Sequence, residues 1–250
     1  MGRLEGKIAI ITGAASGFGK GIAEAYAAEG ARVVVADLNL EGAQAVAGEI
    51  GNGAIAVRVD VTKRAEVEAM VAAAVEAFGG LDILVNNAGA THRNKPALDV
   101  TEDEFDLIYA VNVKALYLTT LAAVPQMEKR GGGVIVNTAS TAGVRPRPGL
   151  TWYNGSKGAA ITLTKSLAAE LAPKKIRVNA INPVIGETGL LESFMGVPDT
   201  PENRAKFIAT IPMGRMSRPS DIANAAVFLA EPASEFITGV AMEVDGGRCV

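Results

Sequence analysis

Tyr153 and Lys157 stand four residues apart in the segment TWYNGSK. On a helix that spacing puts a phenol and an ammonium on one face, one turn above the other. Ser140 lies thirteen positions before Tyr153, at the end of the strand expected from the apolar run Val134-Ile135-Val136. A strand end and a helix start that meet at one crevice would bring all three polar side chains together. A free phenol has a pKa of about 10, so proton exchange near neutrality requires a lowering of roughly 3 units, about 4 kcal/mol of preference for phenolate. A lysine ammonium one turn away in a water-poor cleft suits that task. The serine hydroxyl can hydrogen-bond the same substrate oxygen that the phenol protonates. Alone, the tetrad Tyr-x-x-x-Lys reads far more readily as an ordinary surface pair, so the elements around it must decide.

Those elements begin with a β-branched run, Lys7 to Ile11, followed by the turn Thr12-Gly13-Ala14-Ala15-Ser16-Gly17-Phe18-Gly19 and an alanine-rich helix to about Glu29. Strand, glycine turn and helix in that order make a phosphate cradle. Gly13 permits the tight turn, Gly17 and Gly19 permit close approach and close packing, and the helix-start amides face a pyrophosphate. A second strand, Arg32 to Ala36, ends at Asp37, close to twenty residues after the turn. A carboxylate there accepts hydrogen bonds from both adenosine ribose hydroxyls and repels a 2′-phosphate. Neither Ala15 nor Leu38 supplies a cation for such a phosphate, which favours NAD over NADP. Asp37 also reads as a helix N-cap.

Ala54 to Val59 reads as a third strand ending in Asp60-Val61, with Thr62 placed to cap the helix that follows to about Phe78. Asp60 is positioned for an adenine amino group, or is an ordinary loop carboxylate. The fourth strand, Ile83 to Val85, leads into Asn86-Asn87-Ala88-Gly89, small and amide residues suited to a crevice where backbone passes close to a ligand. Thr101 and Glu104 form a capping box. Asn112, amid apolar neighbours, either bonds a neighbouring main chain or holds a water beside Lys157. A sixth strand, Ile176 to Ile181, precedes Asn182-Pro183 and a long segment, about 184–216, with helical character near Leu190 to Phe194 and Glu202 to Thr210. Its length fits a substrate lid better than a passive connection. Pro219 to Ala230 reads as a helix and Ala241 to Val244 as a last strand.

A chain of 250 residues with 49% apolar composition can bury one large core, so a single domain over residues 1–250 is expected. The net charge of -3, without a basic run, argues against nucleic acid and anionic membrane as partners. Cys249 and His92 are each the sole residue of their type, which leaves no disulfide framework, metal site or Ser-His-Asp triad to expect. The start MGRLEGK reads as neither a secretory signal nor a span, and a reducing, cytoplasmic setting is expected.

Taken together, TGAASGFG at Thr12 to Gly19, Asp37, Asp60-Val61, NNAG at Asn86 to Gly89, Asn112, Ser140 and YNGSK at Tyr153 to Lys157 resemble the short-chain dehydrogenase/reductase family over essentially the whole chain. The resemblance implies a Rossmann-like, doubly wound parallel sheet of seven strands in the order 3-2-1-4-5-6-7, assembled as a homotetramer or dimer. It implies that Tyr153 is the general acid/base and that Ser140 orients the substrate oxygen. Lys157 would bind the nicotinamide ribose and lower the tyrosine pKa, and Asn112 would hold a relay water. The cofactor contacts it implies are Gly13, Ser16, Gly17, Phe18, Gly19, Asp37, Asp60, Val61, Asn87, Ala88, Gly89, Tyr153, Lys157, Gly186 and Thr188. Asn87 falls near the adenosine ribose, Gly186 and Thr188 near the nicotinamide carboxamide. One departure stands out. The family usually has Pro-Gly after the sixth strand, whereas Pro183 here is followed by Val184, so the turn must differ or Gly186 must supply the freedom.

The activity expected is NAD-dependent interconversion of a secondary alcohol and a ketone. An alternative is an NADPH-dependent 3-oxoacyl carrier-protein reductase, with Lys129, Arg130, Lys174 and Lys175 meeting an acidic carrier. A third is a dinucleotide-binding sensor without turnover. The substrate pocket is expected from His92, Arg93, Val144, Arg145, Trp152, Glu187, Leu191, Phe194 and Met195, with Arg93 and Arg145 as candidate partners of a substrate anion or as solvated loop charges.

Overall fold

Uninterrupted runs such as IAIIT and VVVA, buried at every position, suit strands covered on both faces. The computed structural model describes residues 2–250; Met1, the first residue of the expected domain, lies outside them. Seven strands form one parallel sheet: β1 Ile8–Thr12, β2 Arg32–Asp37, β3 Ile55–Arg58, β4 Ile83–Asn86, β5 Gly133–Thr138, β6 Ile176–Pro183 and β7 Ala241–Val244. Their order is β3-β2-β1-β4-β5-β6-β7, as the resemblance implies. The helices are α1 Gly17–Ala28, α2 Leu40–Ile50, α3 Arg64–Phe78, α4 Glu102–Tyr109, α5 Ala115–Lys129, α6 Thr151–Leu171, α7 Leu191–Met195, α8 Pro201–Ile208 and α9 Pro219–Ala230.

Strand alternation divides the core into two layers. Ala9, Ile11, Val33 and Val35 pack with α1, α2 and α9. Ile8, Ile10 and Val34 face the other way, onto α3, α5 and the end of α6. Helices on both faces and a chain that reverses direction between β1 and β4 place a crevice at the carboxyl ends of the strands, at the topological switch point.

Strand ends differ from the sequence reading because ladder partners, not composition, set their length. Thr12 pairs with Ala36 and so joins β1; Pro183 pairs with Val244 and closes β6. Two cap assignments change. Asn39, not Asp37, caps α2, accepting from the Gly42 amide at 3.1 Å. Thr62 does not cap α3: Lys63 holds that position, and Thr62 donates both its amide and its hydroxyl to Asp60 Oδ1. The Thr101–Glu104 capping box forms as expected.

Between α4 and α5, residues Ala110–Lys114 make one wider turn of π-type hydrogen bonding, with Asn112 buried inside it. The continuous helical run 102–129 is long and apolar enough to cross a membrane, but Ala115, Leu118, Ala123, Val124 and Met127 within it pack into the core layer shared with α3.

A polar ladder crosses this otherwise apolar interior. Asn86 donates to Asn137 Oδ1 at 2.9 Å, and Asn137 donates to Thr164 Oγ1 at 2.9 Å. It fastens the ends of β4 and β5 to the middle of α6, because each amide would otherwise be a buried group without a partner. Asn137→Ala is expected to lower unfolding free energy by about 2–3 kcal/mol, since it strands the Asn86 amide and leaves a void. Urea titration measures it, and a loss below about 1 kcal/mol would show the ladder to be incidental.

Candidate active site

The glycine turn sits against the end of β4. Gly13 adopts φ +65°, and a Cβ there would stand 2.8 Å from Ala88 Cα; a Cβ on Gly19 would stand 2.2 Å from the Gly13 carbonyl oxygen. Only glycine allows both the left-handed turn and that proximity. Asn87 clasps the turn: its side-chain amide donates to the Thr12 and Gly13 carbonyls at 3.0 and 3.1 Å. Thr12 Oγ1 accepts the Asn87 and Ala88 amides at 3.0 and 3.1 Å. The Asn87 donors expected near a ribose are thus occupied in holding the turn, while the residue still borders the cleft.

One cavity of about 640 Å³ runs along this edge of the sheet. Gly13, Ser16, Gly17, Phe18, Asp37, Asp60, Val61, Asn87, Ala88, Gly89, Ser140, Tyr153, Lys157, Gly186 and Thr188 all line it. Gly19 and Asn112 stand behind its wall, the first packed on the Gly13 carbonyl and the second on Ala90. Ser16 at the start of α1 makes no side-chain cap, and the first turn carries no acidic residue. The amides and positive end of that helix therefore remain available to an anion in the cleft. At the same end, Asp37 accepts one amide on each oxygen, from Ala15 and Asn39, both at 2.9 Å. A carboxylate has roughly four acceptor positions, so hydroxyls can still be bound. These residues fit a dinucleotide: a cradle for the pyrophosphate and an acceptor for an adenosine ribose.

At the other end Ser140 follows β5 and opens a short turn, accepting from the Ala142 amide at 3.0 Å, which leaves its O–H free to donate. Tyr153 and Lys157 are buried one turn apart on α6, and Lys157 Nζ lies 5.8 Å from the phenol ring centre. Burial pushes the Tyr153 phenol up to about 12, against downward pulls from the Ser140 hydroxyl and the Arg147 charge. Burial outweighs these pulls, so the phenol stands above its ordinary value and not below it. Lys157 Nζ donates to the Thr138 carbonyl at 2.8 Å, and burial lowers its pKa to about 8.

Asn112 bonds the main chain, as one of its two sequence readings has it. Its amide donates to the Ala90 carbonyl at 2.8 Å and Ser156 Oγ at 2.9 Å, and Oδ1 accepts the Ala90 amide at 2.9 Å. The empty side of Gly89 nevertheless faces both Asn112 Oδ1 and Lys157 Nζ, 3.5 and 3.6 Å from where a Cβ would stand.

Val184 makes no left-handed turn, nor does Gly186. Val184 is buried and donates to the Val244 carbonyl at 3.4 Å, continuing the line of β6. Gly186 is needed for proximity instead of freedom: a Cβ there would meet the Phe18 ring at 2.4 Å and Ser217 Oγ at 2.8 Å.

Of the expected pocket residues, Arg145 and Phe194 border the cleft, and the Phe194 ring meets Tyr153 edge-on at 5.1 Å. The others are turned aside. Arg93 bonds the Gly196 carbonyl, Trp152 the Ala97 carbonyl, and His92 Nδ1 the Arg93 carbonyl. Leu191 and Met195 are buried on the inner face of α7 with Met216, and Val144 and Glu187 are exposed and do not line this cavity. Arg147 and Arg248 line the cleft without having been expected. A chain separation of a hundred residues hides the pair, and no motif marks it.

The sheet order, the glycine turn at its switch point and the Tyr-x-x-x-Lys helix beside it define a Rossmann-like oxidoreductase. A family model described as enoyl-(acyl carrier protein) reductase matches residues 13–248. The chain is 55% identical to 4-formylbenzenesulfonate dehydrogenase TsaC1/TsaC2 of Comamonas testosteroni, over 98% of each chain. It is 42% identical to 7alpha-hydroxysteroid dehydrogenase of Escherichia coli strain K12, over 98% of this chain and 95% of the relative. A crystal structure of 3-ketoacyl-(acyl-carrier-protein) reductase from Brucella melitensis, complexed with NADH, superposes with a TM-score of 0.93 at 51% identity, over 99% of this chain and 100% of that one. The chain belongs to the short-chain dehydrogenase/reductase family.

Buried Lys157 carries a stability signature whose sign is fixed. Its pKa is about 8 in the fold against an ordinary 10.5. Below pH 8 both states hold the proton and the fold bears the whole penalty; between these values only the unfolded state holds it, so stability rises with pH. The stability difference between wild type and Lys157→Met is expected to change by about 3 kcal/mol across that window, in favour of wild type at high pH. Denaturant titrations at several pH values read it, and a flat difference would refute the buried ammonium.

Proposed function

We propose that the chain is an NAD-dependent oxidoreductase that interconverts a secondary alcohol and a ketone through Ser140, Tyr153, Lys157 and Asn112. The observation that carries this reading is the pairing, in one cleft, of the Tyr153 phenol and Ser140 hydroxyl at one end with the Asp37 carboxylate at the other. A bound nicotinamide dinucleotide supplies the hydride, and the protein supplies position and the proton. Asp37, beside Ser16 and Leu38 in the lining, neither of which carries a positive charge, takes ribose hydroxyls and repels a 2′-phosphate. The NADH named for the Brucella structure supports the same preference. Asp60 with Val61 borders the adenine end, and Gly186 and Thr188 border the carboxamide.

Tyr153 gives its proton to the carbonyl oxygen in reduction, while the free Ser140 O–H bonds that oxygen and fixes its distance. A buried phenol that stays neutral is the form reduction needs. Oxidation needs the phenolate, so the alcohol-consuming direction gains as pH rises. A water beside Gly89, between Asn112 Oδ1 and Lys157 Nζ, would continue the proton path from Lys157. Residues 184–216 act as a lid, with Phe194 closing over the phenol. Dryness there strengthens the Ser140 and Tyr153 hydrogen bonds.

A second reading, 3-oxoacyl carrier-protein reduction, draws support from the name of the Brucella structure, whose NADH removes the objection that this activity calls for NADPH. The basic residues invoked for carrier docking speak against their own role. Arg130 pairs with Asp82 and Lys174 with Glu128, and both precede strands β5 and β6, at the end of the sheet opposite Tyr153. The single cysteine fits a cytoplasmic setting, and the substrate is read as a small molecule with neither nucleic acid nor membrane as partner.

Initial rates with NAD and NADP against secondary alcohols, hydroxy acids, sugars and a 3-hydroxyacyl thioester test the proposal. NAD turnover is expected, with Tyr153→Phe lowering kcat by about 100- to 10,000-fold and leaving NADH affinity nearly unchanged. A fully active variant would sink it, turnover only with NADP on the thioester would promote the second reading, and NADH binding without turnover would indicate a sensor.

We also propose a homo-oligomer, tetramer or dimer, assembled through the outer face of α5, where Tyr117 and Leu121 stand exposed. Light scattering should give a multiple of the 25.7 kDa chain, and Leu121→Glu should shift it towards monomer. A monomeric wild type would dismiss that assembly.

A further inference from the structure

Three arginines border the Tyr153 end of the cleft, and no carboxylate meets them. Arg145, Arg147 and Arg248 all line it, yet none joins an ion pair among the described residues. Asp245, three residues before Arg248, turns its carboxylate to the Gly247 and Cys249 amides at 2.9 and 2.8 Å. Arg145 donates to the Arg248 carbonyl, tying the loop before α6 to the C-terminal tail. Arg147 reaches only the Phe194 carbonyl at 3.3 Å and lies 5.1 Å over the Phe207 ring. Arg248 Nη1 is buried with no hydrogen-bond partner at all.

Guanidinium groups so placed repel one another and lose hydration. Burial and the Arg248 charge both lower the Arg147 pKa. An unpaired buried donor is costly, and more so when it carries charge. The physical remedy for two converging cations is an anion between them, and a carboxylate or sulfonate presents two oxygens at the spacing of a guanidinium's paired donors. Ala142, Leu150 and Phe194 line the same cavity with apolar surface beside the phenol.

We propose that Arg147 and Arg248, with Arg145 at the rim, form an anion subsite, so that the substrate bears a carboxylate or sulfonate on an apolar body whose other part presents the reacting carbon to Tyr153. This rests on the oxidoreductase reading only for the identity of the reacting carbon. The subsite selects its ligand through charge and makes Arg147 and Arg248 specificity residues.

Titration calorimetry with benzenesulfonate, benzoate and the neutral benzenesulfonamide tests it, on wild type, Arg147→Gln and Arg248→Gln. Wild type is expected to bind at least one anion about ten-fold or more tightly than the sulfonamide. Each variant should lose about 10- to 100-fold for the anion and keep its affinity for the sulfonamide, as expected for charge-assisted hydrogen bonds. The tighter anion identifies the headgroup. Equal binding of anion and sulfonamide, no measurable anion binding at millimolar concentration, or variants that retain the preference would each overturn the subsite. Arg248→Gln, at the tail, guards against misfolding of Arg147→Gln, whose side chain also braces α7. Turnover of neutral carbonyls alongside any of those outcomes leaves the oxidoreductase standing without the subsite. Anion preference in a protein that turns over nothing leaves the subsite standing without the oxidoreductase.

Discussion

Thr12 and Asn87 hold the glycine turn against the end of β4, and the geometry of the cleft follows from that clasp. Four hydrogen bonds join the two segments, so the start of α1 is set relative to Ala88, Gly89 and Ala90. From Ala90 the constraint passes to Asn112, from Asn112 to Ser156, and so to α6, which carries Tyr153 and Lys157. The phosphate cradle and the phenol belong to elements far apart in sequence, yet a short chain of satisfied amides fixes the distance between them. Losing any link would leave a buried polar group unpaired, which is why such links are stiff.

Burial shapes the chemistry of the Tyr153 end as strongly as charge does. It drives the phenol and the ammonium in opposite directions, each towards its neutral form. A neutral tyrosine and a weakly held lysine proton suit a site that passes one proton inward at a time. Arg147 and Ser140 oppose the effect of burial on the phenol. The same dryness makes the partnerless guanidinium donors of the neighbouring tail conspicuous, because water does not screen them.

Much of the fold was legible because its signals are local. Buried strands appear as unbroken β-branched runs, and α9 and β7 match the sequence reading at both ends. Local signals also mark the glycine turn, the capping box and the Tyr153–Lys157 spacing. What remained hidden depends on which partner an atom finds. Asp37 and Asn39 are both plausible caps, and only the approach of Ala15 decides that Asp37 turns to the glycine turn. Gly186 could be read for its backbone freedom, whereas the nearness of Phe18 explains it. Arg93 and Arg147 look alike in sequence, but Arg93 is bound to Gly196 on the surface while Arg147 folds into the cleft.

The wide turn at Ala110–Lys114 has a consequence for how this chain can change in length. Each residue added to or taken from a regular helix rotates everything beyond it by about 100°. The turn absorbs one such step, letting Asn112 meet Ala90 while Ala115, Leu118 and Met127 still face α3. Deleting a single residue here would mend the helix and leave that apolar row on α3, but would withdraw Asn112 from Ala90 and Ser156. The cost of a shortened turn therefore falls on the wall of the cleft and the footing of α6, while the core beneath keeps its packing.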